Sequence, residues 1–350
     1  MKRKPFKIIA LLAFMIVISC DEPETVVTNF VNSDGTIMRK IEMKNSKNKF
    51  KRSDFQVPFD STWIVTDTCE ISEKGDTAWI KRAVKLFKDV NEINLTYKND
   101  SGANRVISRY ADFKKTFKWF TTEYHFSETI DKILSDGYPL GDFLDDEELL
   151  YFYSPDILKY EQEKSSDSLK YRAIYDTVNQ KAEIWATKNL ISIWIDEFSK
   201  LIEGKKGGKE AAIIVRSHVD DLLKMIVTDE QIFDSLWSNG IILKEYIGES
   251  DYERFKDESD TANEKAIENY LVDFKEYSVR ISMPGKVTGT NGFIDSSEVL
   301  LWPVKSDYFL TETYNMWAES KISNVWAWVV SGLFLVFVIT GVIIKIIKRD

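Results

Sequence analysis

The sequence predicts an α+β fold: an antiparallel β-sheet with an inserted helical block, followed by one C-terminal transmembrane helix. Three observations predict it. Runs of β-branched and aromatic residues fill the stretch from Asp54 to about Phe126 and return at Tyr277. Apolar residues at three- and four-residue steps fill the stretch between them, and Val325 to Ile344 is twenty residues without a charge. With 44% hydrophobic and 29% charged residues, the 350-residue chain is neither collagen-like nor wholly disordered, and it can build one or two cored domains. The net charge of −9 understates the acidity of the middle, because residues 1–20 and 325–350 are both net basic. So acidic a body repels phosphate backbones, which argues against nucleic acid as a partner.

Lys2, Arg3, Lys4 and Lys7 precede an almost wholly apolar stretch from Ile8 to Ile18. Eleven residues are too few to cross ~30 Å of hydrocarbon as a helix, so residues 1–19 read as a signal peptide. Val17-Ile18-Ser19-Cys20 resembles the lipobox of bacterial lipoproteins. That resemblance implies cleavage before Cys20, a diacylglycerol thioether on its sulfur and an acylated (palmitate-type) amino terminus. Residues 20–50 are then expected to be the lipidated Cys and a polar tether, and residues 51–324 the body. With Cys20 acylated, Cys69 has no partner for an intrachain disulfide, and it is expected to be buried.

Within the body, Thr62 to Ile71 and Thr77 to Phe87 flank Lys74-Gly75-Asp76 and predict a hairpin. Phe113 to Phe126, dense in Phe, Trp, Tyr and Thr, predicts one strand with a partly buried face. The helical block is expected over about 140–270. Asp142, Asp145, Asp146, Glu147 and Glu148 fit a helix start better than a calcium site, since acids favour the positive end of the helix dipole. Ile184, Ile191, Trp194, Ile195, Phe198, Leu201 and Ile202 form one stripe, ended by Gly204-Lys205-Lys206-Gly207-Gly208. Ala212, Val215, Val219, Leu222, Leu223 and Ile226 begin the next helix, and two more are expected over Asp229–Trp237 and Glu249–Tyr270. Strand character resumes at Tyr277–Met283 and Glu298–Pro303. Residues 325–347 read as the membrane helix, with Trp317, Trp326 and Trp328 at its outer edge. Lys345, Lys348 and Arg349 place the 348–350 tail in the cytoplasm and the body outside it.

Groups that could carry chemistry are few. His218, three residues before Asp221, is the candidate pair for a hydrolase, and His125 lies in the aromatic run; both fit structural roles better. The chain shows no nucleophile-elbow, zinc, P-loop or EF-hand pattern, so no cofactor or metal ligand set is read from it. Lys205, Lys206 and Lys209 could meet lipid phosphates, although the acidic surroundings favour a solvated turn. Asp60, Asp76, Asp167, Asp176, Asp234 and Asp260, each followed by Ser or Thr, resemble the Asp-Ser/Thr-apolar sites that one group of Gram-negative bacteria O-glycosylates.

Val279-Arg280-Ile281-Ser282-Met283-Pro284-Gly285, then Thr290-Asn291-Gly292, then Val299-Leu300-Leu301-Trp302 and an apolar helix, resemble the end of the LppM-type lipoprotein domain family. Pro284-Gly285 suits a strand end and Asn291-Gly292 a tight turn. The family implies an envelope lipoprotein without established catalysis that contacts lipids or glycolipids, and it assigns no functional residue here. The leading expectation is a non-enzymatic, membrane-anchored envelope lipoprotein. It would sit at the bacterial inner membrane as an interaction or assembly module, with membrane lipid and envelope proteins as partners. The alternative is a lipid- or glycolipid-binding module whose groove is lined by aromatics such as Trp63, Trp79, Phe117, Trp119, Trp185 and Trp194. A hydrolase using His218 and Asp221 ranks third.

Overall fold

A computed structural model describes residues 24–71, 77–101, 105, 107–154, 167–228, 240–270, 274–294 and 299–348. Among them the fold is mixed α+β, with eleven strands in two sheets and eight helices. The first sheet holds β1 (Glu24–Val31), β2 (Ile37–Asn45), β3 (Ile64–Ile71), β4 (Thr77–Phe87), β7 (Tyr277–Ser282), β9 (Phe293–Ile294) and β10 (Leu300–Val304), in the order β3-β4-β2-β1-β7-β10-β9. The second holds β5 (Arg109–Phe117), β6 (Thr121–Ile130), β8 (Lys286–Thr290) and β11 (Tyr314–Ser323), in the order β5-β6-β11-β8. The helices are α1 (Val90–Lys98), α2 (Asp146–Phe152), α3 (Ser168–Ile202), α4 (Gly208–Ser217), α5 (Val219–Thr228), α6 (Ile241–Ile247), α7 (Glu249–Tyr270) and α8 (Val325–Ile347).

The expected hairpin over 62–87 is the β3–β4 pair, and the expected helical block spans α2 to α7. The helix expected over Asp229–Trp237 lies outside the described residues, as does the Lys74-Gly75-Asp76 turn. Four expectations are corrected. Residues 24–45, read as a polar tether, are two central strands of the larger sheet. The Phe113–Phe126 run is a hairpin, folded back through a two-residue turn at Trp119-Phe120, with Lys118 and Thr121 exchanging backbone hydrogen bonds. Residues 90–98, read as strand, are helix α1, capped where the Asp89 side chain accepts from the Glu92 amide. Cys69 is exposed, because every residue of edge strand β3 is.

Strands β1 and β2 are concealed in the sequence for a physical reason. Strand β2 buries alternate residues Ile37, Arg39, Ile41, Met43 and Asn45, and β1 buries Asn29 among Thr25, Val27 and Val31. Polar residues at inward positions erase the apolar–polar alternation by which a strand is recognised. They are buried because they satisfy one another. Arg39 Nε donates to Asn29 Oδ1 at 2.7 Å, its Nη1 to the Tyr97 hydroxyl at 2.7 Å, and its Nη2 to Glu128 of β6. This cluster joins the two sheets, whose inner faces share one apolar core.

Most pairings are antiparallel, but β1 and β7 run parallel, from Val26 beside Ser278 to Phe30 beside Ser282. Parallel neighbours need a long crossover; here it is the rest of the body, helical block included. That block has its own core, built on Trp185, Trp194, Phe198 and Ile202 of the 35-residue helix α3. It adjoins the sheets through Phe152, Tyr153 and Tyr308, the Tyr308 hydroxyl donating to the Phe152 carbonyl at 3.0 Å. Burial pushes the Tyr153 phenol up to about 12.

After β7 the chain crosses from one sheet to the other and back. Gly285, at φ +79°, makes the first crossing; a Cβ there would lie 2.5 Å from the Lys321 carbonyl oxygen, so only glycine fits. Asn291 holds the return: its Oδ1 accepts from Trp302 Nε1 at 3.0 Å and from the Trp317 amide at 2.9 Å, and its Nδ2 donates to the Asn315 carbonyl at 2.6 Å. Asn291→Ala is expected to cost about 1–3 kcal/mol, because the buried Trp302 indole loses its acceptor. Urea unfolding followed by tryptophan emission checks this, and an unchanged midpoint would mean that water replaces the amide.

Candidate functional site

The second sheet ends at the apolar helix without a linker. Strand β11 stops at Ser323, Asn324 follows, and α8 begins at Val325. Val325–Lys345, with mean hydropathy 2.6 and only 6% of its apolar window buried, is the one helix among the described residues long and apolar enough to cross a membrane. Its 21 residues extend about 31 Å at 1.5 Å per residue.

Asn324 does more than link the two. Its amide donates to the Phe120 carbonyl at 2.9 Å and its Nδ2 to the Lys118 and Trp119 carbonyls at 2.8 and 3.3 Å. Its Oδ1 accepts from the Thr122 hydroxyl at 2.9 Å. The tip of the β5–β6 hairpin is thereby bound to the root of α8. Aromatic rings extend the contact: Phe117 stacks on Trp326 at 6.3 Å, Trp119 meets Trp326 edge-on at 5.2 Å, and Phe120 lies 4.3 Å from Trp328. Trp119 Nε1 also donates to Ser331 Oγ at 2.9 Å. Trp326 and Trp328 lie in the first turn of α8, whereas Trp317 lies on β11, away from this collar.

Beside the collar, the outer face of the second sheet carries a polar trough of about 620 Å³. Cross-strand register makes it: Thr116, Glu123 and Lys321 form the row nearest α8, and Lys114, His125 and Glu319 the next. His125 Nδ1 lies 3.4 Å from Glu319 Oε1, and its ring stacks on Trp317 at 6.2 Å. Alternation turns Tyr124, Phe126, Met316 and Ala318 inward, so this face is left to polar side chains. Two lysines, three carboxylates, an imidazole and hydroxyls offer both donors and acceptors to a polar guest.

The other residues singled out by sequence are dispersed. Cys20 and Asp234 lie outside the described residues. His218 caps the end of α4, its Nδ1 2.8 Å from the Ile214 carbonyl and its ring stacked on Tyr246 at 4.2 Å. Asp221 pairs with Lys224 on an exposed surface. Asp145 caps α2 in a capping box with Glu148, which also binds Lys181, so these acids serve a helix start. No group of three or more His, Cys, Asp or Glu placed to hold a metal occurs among the described residues. Lys205 pairs with Glu258 in the turn before α4. Thr177 and Thr261 are mid-helix, each hydroxyl donating to the carbonyl four residues back.

The six aromatics expected to line one groove do not converge. Trp63 belongs to the sheet core, Trp185 and Trp194 to the helical core, and Phe117 and Trp119 to the collar. Trp79 sits on β4 beside exposed Cys69. The roles of Asn324, Trp119 and the trough have little local signature in the sequence, because each depends on residues some two hundred positions apart. The only local trace was an Asn immediately before the apolar run.

Fold and junction define a mixed α+β protein whose second sheet is continuous with one exposed apolar helix. No protein-family model matches the chain, and no curated protein sequence does. Among solved structures, the folded domain of Mycobacterium tuberculosis LppM, determined by NMR, is similar over 87% of this chain and 92% of that chain, at 10% identity and a TM-score of 0.27. At that score the two backbones differ too much for fold or function to pass from one to the other.

Proposed function

We propose that this chain is a membrane-anchored bacterial envelope lipoprotein, acting without catalysis as an interaction or assembly module. The observation that carries the reading is the junction: a 21-residue apolar helix, exposed over nearly all its length, whose root is bonded through Asn324 to the tip of the β5–β6 hairpin. A helix so apolar in water would expose a patch far larger than soluble proteins tolerate, whereas a bilayer accepts it. The basic end of α8 favours a cytoplasmic tail and an extracytoplasmic body at the inner membrane.

Geometry constrains the second anchor. Strand β1 is parallel to β7, which ends beside the β8–β11 edge near α8. Glu24 is therefore at the opposite end of the sheet, eight strand residues and about 26 Å away. From Cys20 to Glu24 the chain reaches about 14 Å at full extension. If Cys20 carries lipid in the bilayer that α8 crosses, the strands must lie along that bilayer. The test is radiolabelled palmitate incorporation into wild type and Cys20→Ala, with protease accessibility of the body in spheroplasts. Label lost in the variant and a body cleaved from outside are the expected results; no label, or a protected body, would overturn the lipoprotein reading or the compartment respectively.

The second reading, a lipid- or glycolipid-binding module, is supported by the trough, with the apolar groove replaced by a polar face. Its mixed donors and acceptors, and the Trp317 ring beside His125, suit a polyhydroxylated headgroup rather than an acyl chain.

A further inference from the structure

We propose that the β5–β6 hairpin tip is a second membrane-inserting element, whose Phe117, Trp119 and Phe120 enter the headgroup layer of the bilayer around α8. The proposal rests on the reading of α8 as a spanning helix. Trp119 Nε1 reaches Ser331, six residues beyond the first residue of α8. At 1.5 Å per residue that is about 9 Å along the helix, a depth typical of interfacial aromatic side chains. Even with their contacts to Trp326 and Trp328, Phe117, Trp119 and Phe120 remain 58, 47 and 38% exposed. In water these rings leave apolar area uncovered in an otherwise acidic body; in the interface that same area is covered by lipid, and the Trp119 N–H is already satisfied by Ser331.

The occupant is lipid because the patch is continuous with the apolar helix itself: the exposed rings of the tip and those of Trp326 and Trp328 form one belt. Asn324 holds tip and helix in fixed relation through four hydrogen bonds, so the tip must enter wherever the root of α8 enters. Lys118, on the turn, pairs with Glu123 at 2.6 Å while its side chain stays 58% exposed, which places a neutralised ion pair at headgroup level. Two points of contact resist the swivelling that a single helix would allow, so the tip determines which side of the body addresses the membrane.

The experiment uses the full chain in vesicles of phosphatidylcholine and phosphatidylglycerol, in a Cys69→Ser background, with the unsubstituted background labelled as a blank. Trp119→Cys, Phe120→Cys, Val338→Cys and Leu95→Cys each carry an environment-sensitive fluorophore and are quenched by spin labels at the headgroup or deep in the acyl chain. Expected are a loss of emission at 119 and 120 from the shallow label, at 338 from the deep label, and no loss at 95. Quenching at 338 with none at 119 and 120 would overturn the insertion of the tip while leaving α8 spanning. No quenching at 338 would overturn the spanning reading, and the insertion with it. The two tip positions back each other up: Phe120 makes no side-chain hydrogen bond to α8, so its replacement leaves the Asn324 and Trp119 contacts in place.

Discussion

Deleting residues 24–45 is expected to abolish folding of the body, although the sequence of that stretch looks like a tether. The segment supplies β1 and β2, which stand third and fourth in the seven-stranded sheet and join β4 to β7. Without them β3–β4 is separated from β7–β10–β9, and each piece exposes unpaired edges. Val27, Val31, Ile37, Ile41 and Met43 are each at most 4% exposed. At about 1.5–3 kcal/mol apiece their burial sums to roughly 7–15 kcal/mol, the whole net stability of an ordinary domain. Circular dichroism and limited proteolysis of the full chain beside the deletion variant test this. A protease-resistant body in the variant would show that the hairpin is an accessory, and would return the domain boundary to about residue 51.

The second large effect is expected at the polar hub of the core. Arg39→Met should cost about 3–5 kcal/mol, because it leaves Glu128 buried with an uncompensated charge. Glu128→Leu should cost a similar amount for the opposite reason, since the guanidinium is then stranded between the sheets. The double variant should recover part of the loss, as neither charge remains. Recovery stays incomplete because Asn29 and Tyr97 lose the hydrogen bonds that Arg39 makes. A double-mutant cycle by urea unfolding measures the coupling. Additive losses, with no coupling between the two positions, would mean that the charges do not act as a pair. The hub also makes register between the sheets specific: a one-residue slip of β2 would turn Arg39 outward and bring outward-facing Met38 or Lys40 toward Glu128 in its place.

Both effects have one physical source, the polar residues built into the inner faces of the sheets. A core that tolerates Arg39, Asn29 and Glu128 has a sequence that conceals its own strands. Where apolar residues dominate the inward positions, as in α3 with Trp194, Ile195, Phe198 and Ile202 beside buried Asn189 and Ser199, the stripe is legible and forms the core of the block. The Asp145–Glu148 capping box was legible as a helix start because a cap is made within four residues. The turn at Trp119-Phe120 was not, since it contains neither Gly nor Asn; two apolar rings at a hairpin turn are uncharacteristic of one facing water. Helix α1 was missed because its nine residues carry β-branched Val90, Ile93 and Thr96, and its position comes from Asn94, which exchanges hydrogen bonds of 2.9 and 2.7 Å with the Ala111 backbone.

By itself the sequence determined the α+β class, the placement of the helices between two groups of strands, and the apolar helix at the end. Each is a matter of composition or periodicity over neighbouring residues, where propensity and hydrophobicity act directly. Tertiary structure alone decided that the first hairpin is central, that the parallel β1–β7 pair joins the two halves of the larger sheet, and that the chain crosses between sheets at Gly285 and Asn291. It also brought the hairpin tip onto α8 and laid out the polar trough. These depend on pairings between residues as far apart as Val27 and Val279, or Trp119 and Ser331. Such pairings are chosen by the joint burial of whole sheets rather than by any local preference, so no window of sequence contains them.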